Sequence, residues 1–327
     1  MRLASFTKNG NSSIGVLCAD QKTIVDLDAA ALTLDEVAYP AFASMLALIE
    51  AGPEALKRVR ALLEIAEDGR LEGARYSLDK IRIKPPLMPP RVLCFSVYDQ
   101  HMKQAFEAVV TMKAGKAIGG IVKGLGIIKM PKGFYKKPIY YKGNNLSVVG
   151  HDDDVLWPRW TKMMDYEMEL GVVIGKRGKN ISANDAMDYV FGYTCFNDFS
   201  ARDKMMQEVP WGGVGPLKGK DFDTGNSIGP WIVTADEIPD PYNLKISVRV
   251  NGEVRGESST SKMSHPISRM IEVASDEEQI VPGEFFGTGA AANGCGIEIL
   301  RFLNPGDVVE IDIERVGVLR NRVVSQS

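Results

Sequence analysis

The chain has 327 residues, 45% of them hydrophobic and 25% charged, a composition that excludes disordered, collagenous and disulfide-scaffolded proteins and suits one large globular domain or two modest ones. Lys and Arg number 39 against 42 Asp and Glu, a net charge of −3, so no bulk field draws the chain to nucleic acid or to an anionic membrane.

The opening MRLASFTKNG lacks the apolar core of a secretory signal, and no apolar run approaches the roughly 20 residues of a membrane span. A cytoplasmic protein without membrane contact is the expectation. Strand-like pieces at Ser13–Cys18 and Thr23–Asp26 lead into helical spacing over Phe42–Ala51 and Pro53–Ala66. Residues 1–83 therefore read as a small N-terminal α+β domain. The segment 84–91, KPPLMPPR, has four prolines in eight positions, which blocks helix and sheet ladders and suits a connector. Residues 92–327 form the second predicted domain. It begins with a buried strand over Val92–Val97 and a helix over Met102–Lys113. Between Lys103 and Lys142 stand nine lysines and one acid, Glu107. With no aromatic RNA-binding pattern or helix-turn-helix beside them, these lysines read as a solvated lid. Farther on, Leu244–Val250 and Glu253–Glu257 flank the hairpin signal Asn251-Gly252, and Val308–Ile313 follows a turn. The whole is a β-rich α+β chain.

The densest chemical signal is Asp165–Lys176, DYEMELGVVIGK. Alternation along a strand puts Glu167 and Glu169 on one face and Met168, Leu170, Val172 and Ile174 on the other. Alone, that is also the pattern of an amphipathic strand with a wet acidic face. A second apolar strand, FGYTCFNDFSARD, places Asp198 between Phe196 and Phe199, where a carboxylate needs a cation or several donors to stay ionised. Three carboxylates without imidazole or thiolate suit a hard divalent ion, Mg²⁺ first, with Mn²⁺ or Ca²⁺ as alternatives. The cysteines Cys18, Cys94, Cys195 and Cys295 show no metal or redox spacing. Of the three histidines, His151 in GHDDD and His265 in SHPIS lie in polar, turn-like sequence and read as surface residues.

These blocks, with GKDFD, IGPWIVTADEI, VNGE, VPGEFFGTG, GCGIE and FLNPGDVVEI, resemble the fumarylacetoacetate hydrolase family from about Arg91 to Val323. The resemblance implies a mixed β-sandwich roll behind a smaller N-terminal domain, a homodimer, and Glu167, Glu169 and Asp198 as metal ligands. It also implies His101, at the end of CFSVYDQH, as a base oriented by Glu298 of GCGIE, with Lys220 stabilising enolate charge. Arg202, Tyr141, Lys142, Thr288 and Gly289 match positions that contact substrate, Arg202 being equally readable as a structural ion pair. Where the family often has TGT, this chain has Thr288-Gly289-Ala290. Cys94 and Ser96 replace an Asp and a Tyr, and Lys204-Met205-Met206 stands where a Gln usually follows SARD. These departures imply a three-carboxylate site in a more apolar pocket.

The implied activity is metal-dependent hydrolysis of a C–C bond in a small acidic keto or enol substrate such as an acylpyruvate. Isomerase, tautomerase or decarboxylase chemistry on the same scaffold is the alternative, and a non-catalytic metal or acid binder is the alternative of another class. Gly225-Asn226-Ser227-Ile228-Gly229 matches a nucleophile elbow, but Pro230-Trp231-Ile232-Val233 continues as strand rather than helix. Gly287-Thr288-Gly289 lacks the third glycine and the βαβ setting of a dinucleotide site.

Overall fold

The computed structural model describes residues 1–208 and 218–326. Two strands, Met168–Ile174 and Val190–Asp198, are buried at every position. A strand covered on both faces has no wet side, so its sequence runs apolar almost without interruption. They pair antiparallel with Met168 opposite Asn197 and Glu169 opposite Phe196, and they lie in the middle of a 12-stranded sheet. On one side of this pair the sheet continues through Phe285–Gly287, Val92–Ser96 and Ile139–Gly143; on the other it runs through Asn226–Thr234 to the N-terminal strands. Arg2–Lys8 joins Asn226–Thr234 directly, with Arg2 opposite Val233 and Leu3 opposite Ile232. No helix or strand forms between Lys84 and Val92, across the proline-rich segment.

Each face of the sheet has its own cover. On one, a five-stranded sheet brings Ile246, Val248, Ile311 and Ile313 against Leu170, Val172 and Cys195. On the other, the helix Met45–Glu67 places Leu48, Val59 and Leu62 in one cluster with Val173, Phe191 and Ile232. A one-residue slip would drive Glu169 into the first of these cores and pull Leu170 out of it, so the register is strongly specified. Burying each large apolar side chain contributes about 1.5–3 kcal/mol.

Local chemistry sets the boundaries. The helix Met45–Glu67 is capped by Ser44, whose side chain accepts from the Ala47 N–H, and it breaks at Gly52, with φ 70° and ψ −151°. That break separates the two helical runs read from the sequence. Asn251 and Gly252, at φ 53° and 80°, close the hairpin between Lys245–Val250 and Glu253–Ser259, as a primed two-residue turn requires. The lysine-rich region holds the helix Asp99–Ala114 and then a second helix, Lys116–Gly124, that the sequence pattern did not suggest. Gly119 lets the two meet, because a Cβ there would lie 2.1 Å from Thr111 Oγ1. No helix among the described residues is long and apolar enough to cross a membrane.

His265 is not a surface residue. It is buried, its Nε2 bonded to the Phe134 carbonyl at 2.5 Å, with the Phe134 ring beside it. A segment 131 residues earlier in the chain covers what sequence alone presents as an open turn. His151 is partly covered, and its Nδ1 accepts the Arg320 backbone N–H at 3.1 Å.

Candidate functional site

At one end of the central strand pair, Glu167, Glu169 and Asp198 converge. One carboxylate oxygen from each lies within 4.8 Å of the others, and all three side chains are buried. Glu169 is the second residue of its strand and Asp198 the last of the neighbouring one, so antiparallel pairing brings them together from 29 positions apart. Glu167 is fixed by its backbone: its N–H donates to Asn197 Oδ1 at 3.0 Å, and its carbonyl accepts the Asp198 N–H at 3.3 Å. The acidic face is therefore not wet, which removes the amphipathic-strand reading.

Two cations answer the buried acids. Lys220 Nζ lies 2.8 Å from Glu167 Oε2 and 2.9 Å from Asp198 Oδ2, and it also donates to the Asp198 carbonyl at 3.1 Å. Arg202 joins Asp165 through Nε and Glu167 through Nη2, both at 2.7 Å. Burial alone would raise the Glu167 carboxyl, but the Lys220 ammonium and Arg202 guanidinium hold it well below the usual range. Burial, with Asp198 and Glu167 as neighbours, pushes Glu169 well up. Burial also raises Asp198, against the pull of Lys220.

The donor set fits a hard divalent cation. Asp198 Oδ1 is buried and has no hydrogen-bond partner, an orphaned lone pair of the kind a metal ion satisfies. The three groups that would ligate an ion here all offer oxygen, which favours Mg²⁺, Mn²⁺ or Ca²⁺ over thiophilic ions.

Beside this cage stands His101, in the first turn of the helix Asp99–Ala114. Its Nδ1 is 3.0 Å from Glu298 Oε1, and its Nε2 is 4.0 Å from Glu167 Oε1. Glu298 is anchored in turn by the backbone N–H groups of Asn293 at 3.2 Å and Cys295 at 3.0 Å. An imidazole held this way keeps its proton on Nδ1 and turns the Nε2 lone pair toward the carboxylates.

The remaining expected residues divide. Tyr141 is brought in: its hydroxyl donates to Asp198 Oδ2, and it pairs across the ladder with Cys94. Lys142 is not brought in. Alternation along Ile139–Gly143 turns it to the opposite face, where it is exposed and 4.0 Å from Glu278. Thr288 and Gly289 lie at the cage, but their donors are used within the protein. The Gly289 N–H bonds Glu169 Oε2 at 2.8 Å, and the Thr288 hydroxyl donates to the Gly289 carbonyl at 3.4 Å. Arg202 is the buried ion pair that the sequence left open as one of two readings.

Comparison with known proteins supplies the lineage. The profile described as Fumarylacetoacetate (FAA) hydrolase C-terminal matches residues 102–324. The chain belongs to the fumarylacetoacetate hydrolase family. A mitochondrial oxaloacetate tautomerase of Xenopus laevis is 32% identical over 330 residues, covering 99% of this chain and 90% of that protein. Its counterpart in Rattus norvegicus is 42% identical over 193 residues, or 58% of this chain and 59% of that protein. The structure of a maleylpyruvate hydrolase from Sphingobium sp. SYK-6, in complex with manganese(II) and pyruvate, covers all of both chains at 25% identity and a TM-score of 0.71.

This fumarylacetoacetate hydrolase family member also holds residues that sequence reading passed over. Asp165 opens the DYEMEL motif and is fully buried. Its carboxylate accepts the N–H groups of Tyr166, Gly296 and Ile297 as well as Arg202 Nε. It thereby ties the strand of the carboxylate cage to the short helix Gly296–Ile299 that carries Glu298. The signal was available in the motif's first letter. Cys295 lies with Sγ 3.7 Å from His101 Nδ1, 194 positions away in the chain, and no local spacing announces it.

Proposed function

We propose that the protein is a divalent-metal-dependent isomerase or tautomerase of small 2-oxo acids, moving a proton between carbon and oxygen through an enol. The observation that carries this reading is the pair His101–Glu298, a single oriented base whose free nitrogen faces the three-carboxylate cage. The names of the frog and rat relatives support it.

Glu167, Glu169 and Asp198 would hold the metal ion, which when bound polarises the substrate's oxygen atoms and offsets enolate charge. His101 Nε2 takes the proton from the carbon beside the 2-oxo group and returns it to oxygen, or runs the reverse. Glu298 stabilises the imidazolium while it exists and keeps the ring from turning. Lys220 contributes a buried positive charge beside the developing anion. One base serves both halves of such a transfer, and no water has to be positioned. A C–C hydrolase, the second reading, needs the same nitrogen to activate a water; the maleylpyruvate hydrolase complex favours it.

The test is loss of enol absorbance from oxaloacetate, and hydrogen–deuterium exchange at its C3, with Mg²⁺ or Mn²⁺ present. An acylpyruvate panel is assayed in parallel for pyruvate release. His101→Ala should lower the proton-transfer rate by about 10²–10⁴ while retaining the metal. Pyruvate release without enol turnover would favour the hydrolase. Near-normal turnover by His101→Ala would remove the base assignment.

A further inference from the structure

The two nitrogens of His101 face different chemistries. On the Nε2 side the donors are all oxygen. On the Nδ1 side lie Glu298 Oε1 at 3.0 Å and Cys295 Sγ at 3.7 Å. One donor atom from each of His101, Cys295 and Glu298 falls within 4.8 Å of the others, and the three side chains are buried. A tetrahedral zinc ion, with sulfur at about 2.3 Å and nitrogen or oxygen at about 2.0–2.1 Å, needs an S···N separation of roughly 3.6 Å and an N···O separation of roughly 3.3 Å. The observed values differ from these by a few tenths of an ångström, within the reach of small side-chain rotations.

We propose that His101, Cys295 and Glu298 form a second metal site, selective for thiophilic divalent ions of the zinc class, and that its occupancy inhibits the enzyme. The inhibitory part rests on the function proposed above; the binding part does not. Binding takes one proton from the protein, that of the Cys295 thiol, which ligates as thiolate. The imidazole stays neutral, but its proton moves from Nδ1, now bonded to metal, to Nε2. The nitrogen facing the carboxylate cage then becomes an N–H donor and can no longer act as a base. Magnesium ignores sulfur and stays with the oxygen ligands, so the two sites sort ions by softness on either side of one ring.

Cobalt(II) reads the site directly, because a thiolate ligand gives it a sulfur-to-metal charge-transfer band. The full-length protein, saturated with Mg²⁺, is titrated with Co²⁺. The expected result is a band saturating at one equivalent, discharged by Zn²⁺, and absent from Cys295→Ser and Cys295→Ala, each checked for native circular dichroism. Enol turnover should fall with Zn²⁺ in the wild type, and the Zn²⁺ concentration for half inhibition should rise about 100-fold in Cys295→Ser. No thiolate band in the wild type, or a band that survives in both Cys295 variants, overturns the site. A band without loss of turnover overturns the inhibition. Because the band is read without substrate, a protein lacking tautomerase activity would still report on the metal site.

Discussion

Asp165→Asn is a sharp probe of how the site is held together, because it changes charge and hydrogens while keeping volume. Asp165 Oδ1 accepts from Tyr166 N at 2.9 Å and Gly296 N at 2.7 Å, and Oδ2 accepts from Ile297 N at 3.0 Å and Arg202 Nε at 2.7 Å. An asparagine has one oxygen, so either orientation of its amide sets an NH₂ against two N–H donors. Arg202, 4% exposed, would then keep Glu167 as its one carboxylate partner. Each hydrogen bond to a charged group contributes about 1.5–3 kcal/mol, and breaking a buried ion pair from one side costs about 3–5 kcal/mol. The two figures describe overlapping contacts, so the larger sets the expectation. With an unfolding entropy of about 2.1 cal/mol/K per residue, a chain of 327 residues loses about 1.5 °C of Tm per kcal/mol, a fall of about 4–7 °C. Calorimetry on the metal-free protein measures this. Turnover should drop through kcat more than KM, since the segment carrying Glu298 loses its anchor. A Tm within about 1 °C of wild type with unchanged kcat would refute the view that Asp165 couples the cage to the base.

Two further expectations concern the carboxylates. Gly287→Ala puts a Cβ 2.7 Å from both Glu169 Oε2 and Phe196 Cε1, a crowding that costs about 1–3 kcal/mol and displaces a metal ligand; weaker Mn²⁺ binding by calorimetry, at little change in fold, is the expected result, and unaltered affinity would show that the site absorbs a methyl freely. Burial, together with Asp198 and Glu167, raises Glu169 above the usual carboxyl range, so the metal-free protein keeps that proton at a pH where an ordinary glutamate has lost it. A metal ion requires the carboxylate, hence binding releases a proton and affinity rises with pH, by up to about tenfold per unit through the titration. Calorimetry in buffers of different ionisation enthalpy counts the proton, and an affinity independent of pH through the titration would contradict the assignment.

Much of the cage was legible because strands obey short rules. Glu167 and Glu169 sit two apart at one strand's end, Asp198 closes the next apolar run, and antiparallel pairing needs little else to join them. His101 and Glu298 came from family resemblance, since nothing local links residues 197 positions apart. Lys142 was misplaced because its strand's register was unknown; once Tyr141 is seen opposite Cys94, alternation sends Lys142 to the other face. His265 and Cys295 depend on partners more than 100 positions away, which composition and periodicity do not encode. Within the lysine-rich stretch, glycine spacing hid a second helix, which Gly119 lets approach Thr111 closely.

The pairing of Arg2–Lys8 with Asn226–Thr234 has a bearing on how this protein can be dissected. The strands of the carboxylate cage lie one and two ladders inward from that seam, and Val148–Val149 covers only Asn226 and Ser227 at its far end. A fragment begun at the proline-rich segment would uncover the amide and carbonyl groups of residues 232–234, which now face Met1, Arg2 and Leu3, an exposed edge of the kind that sticks to other chains. The strand Arg2–Lys8 thus serves as a built-in guard against self-adhesion at that edge, and the C-terminal part expressed alone is a poor surrogate for the whole.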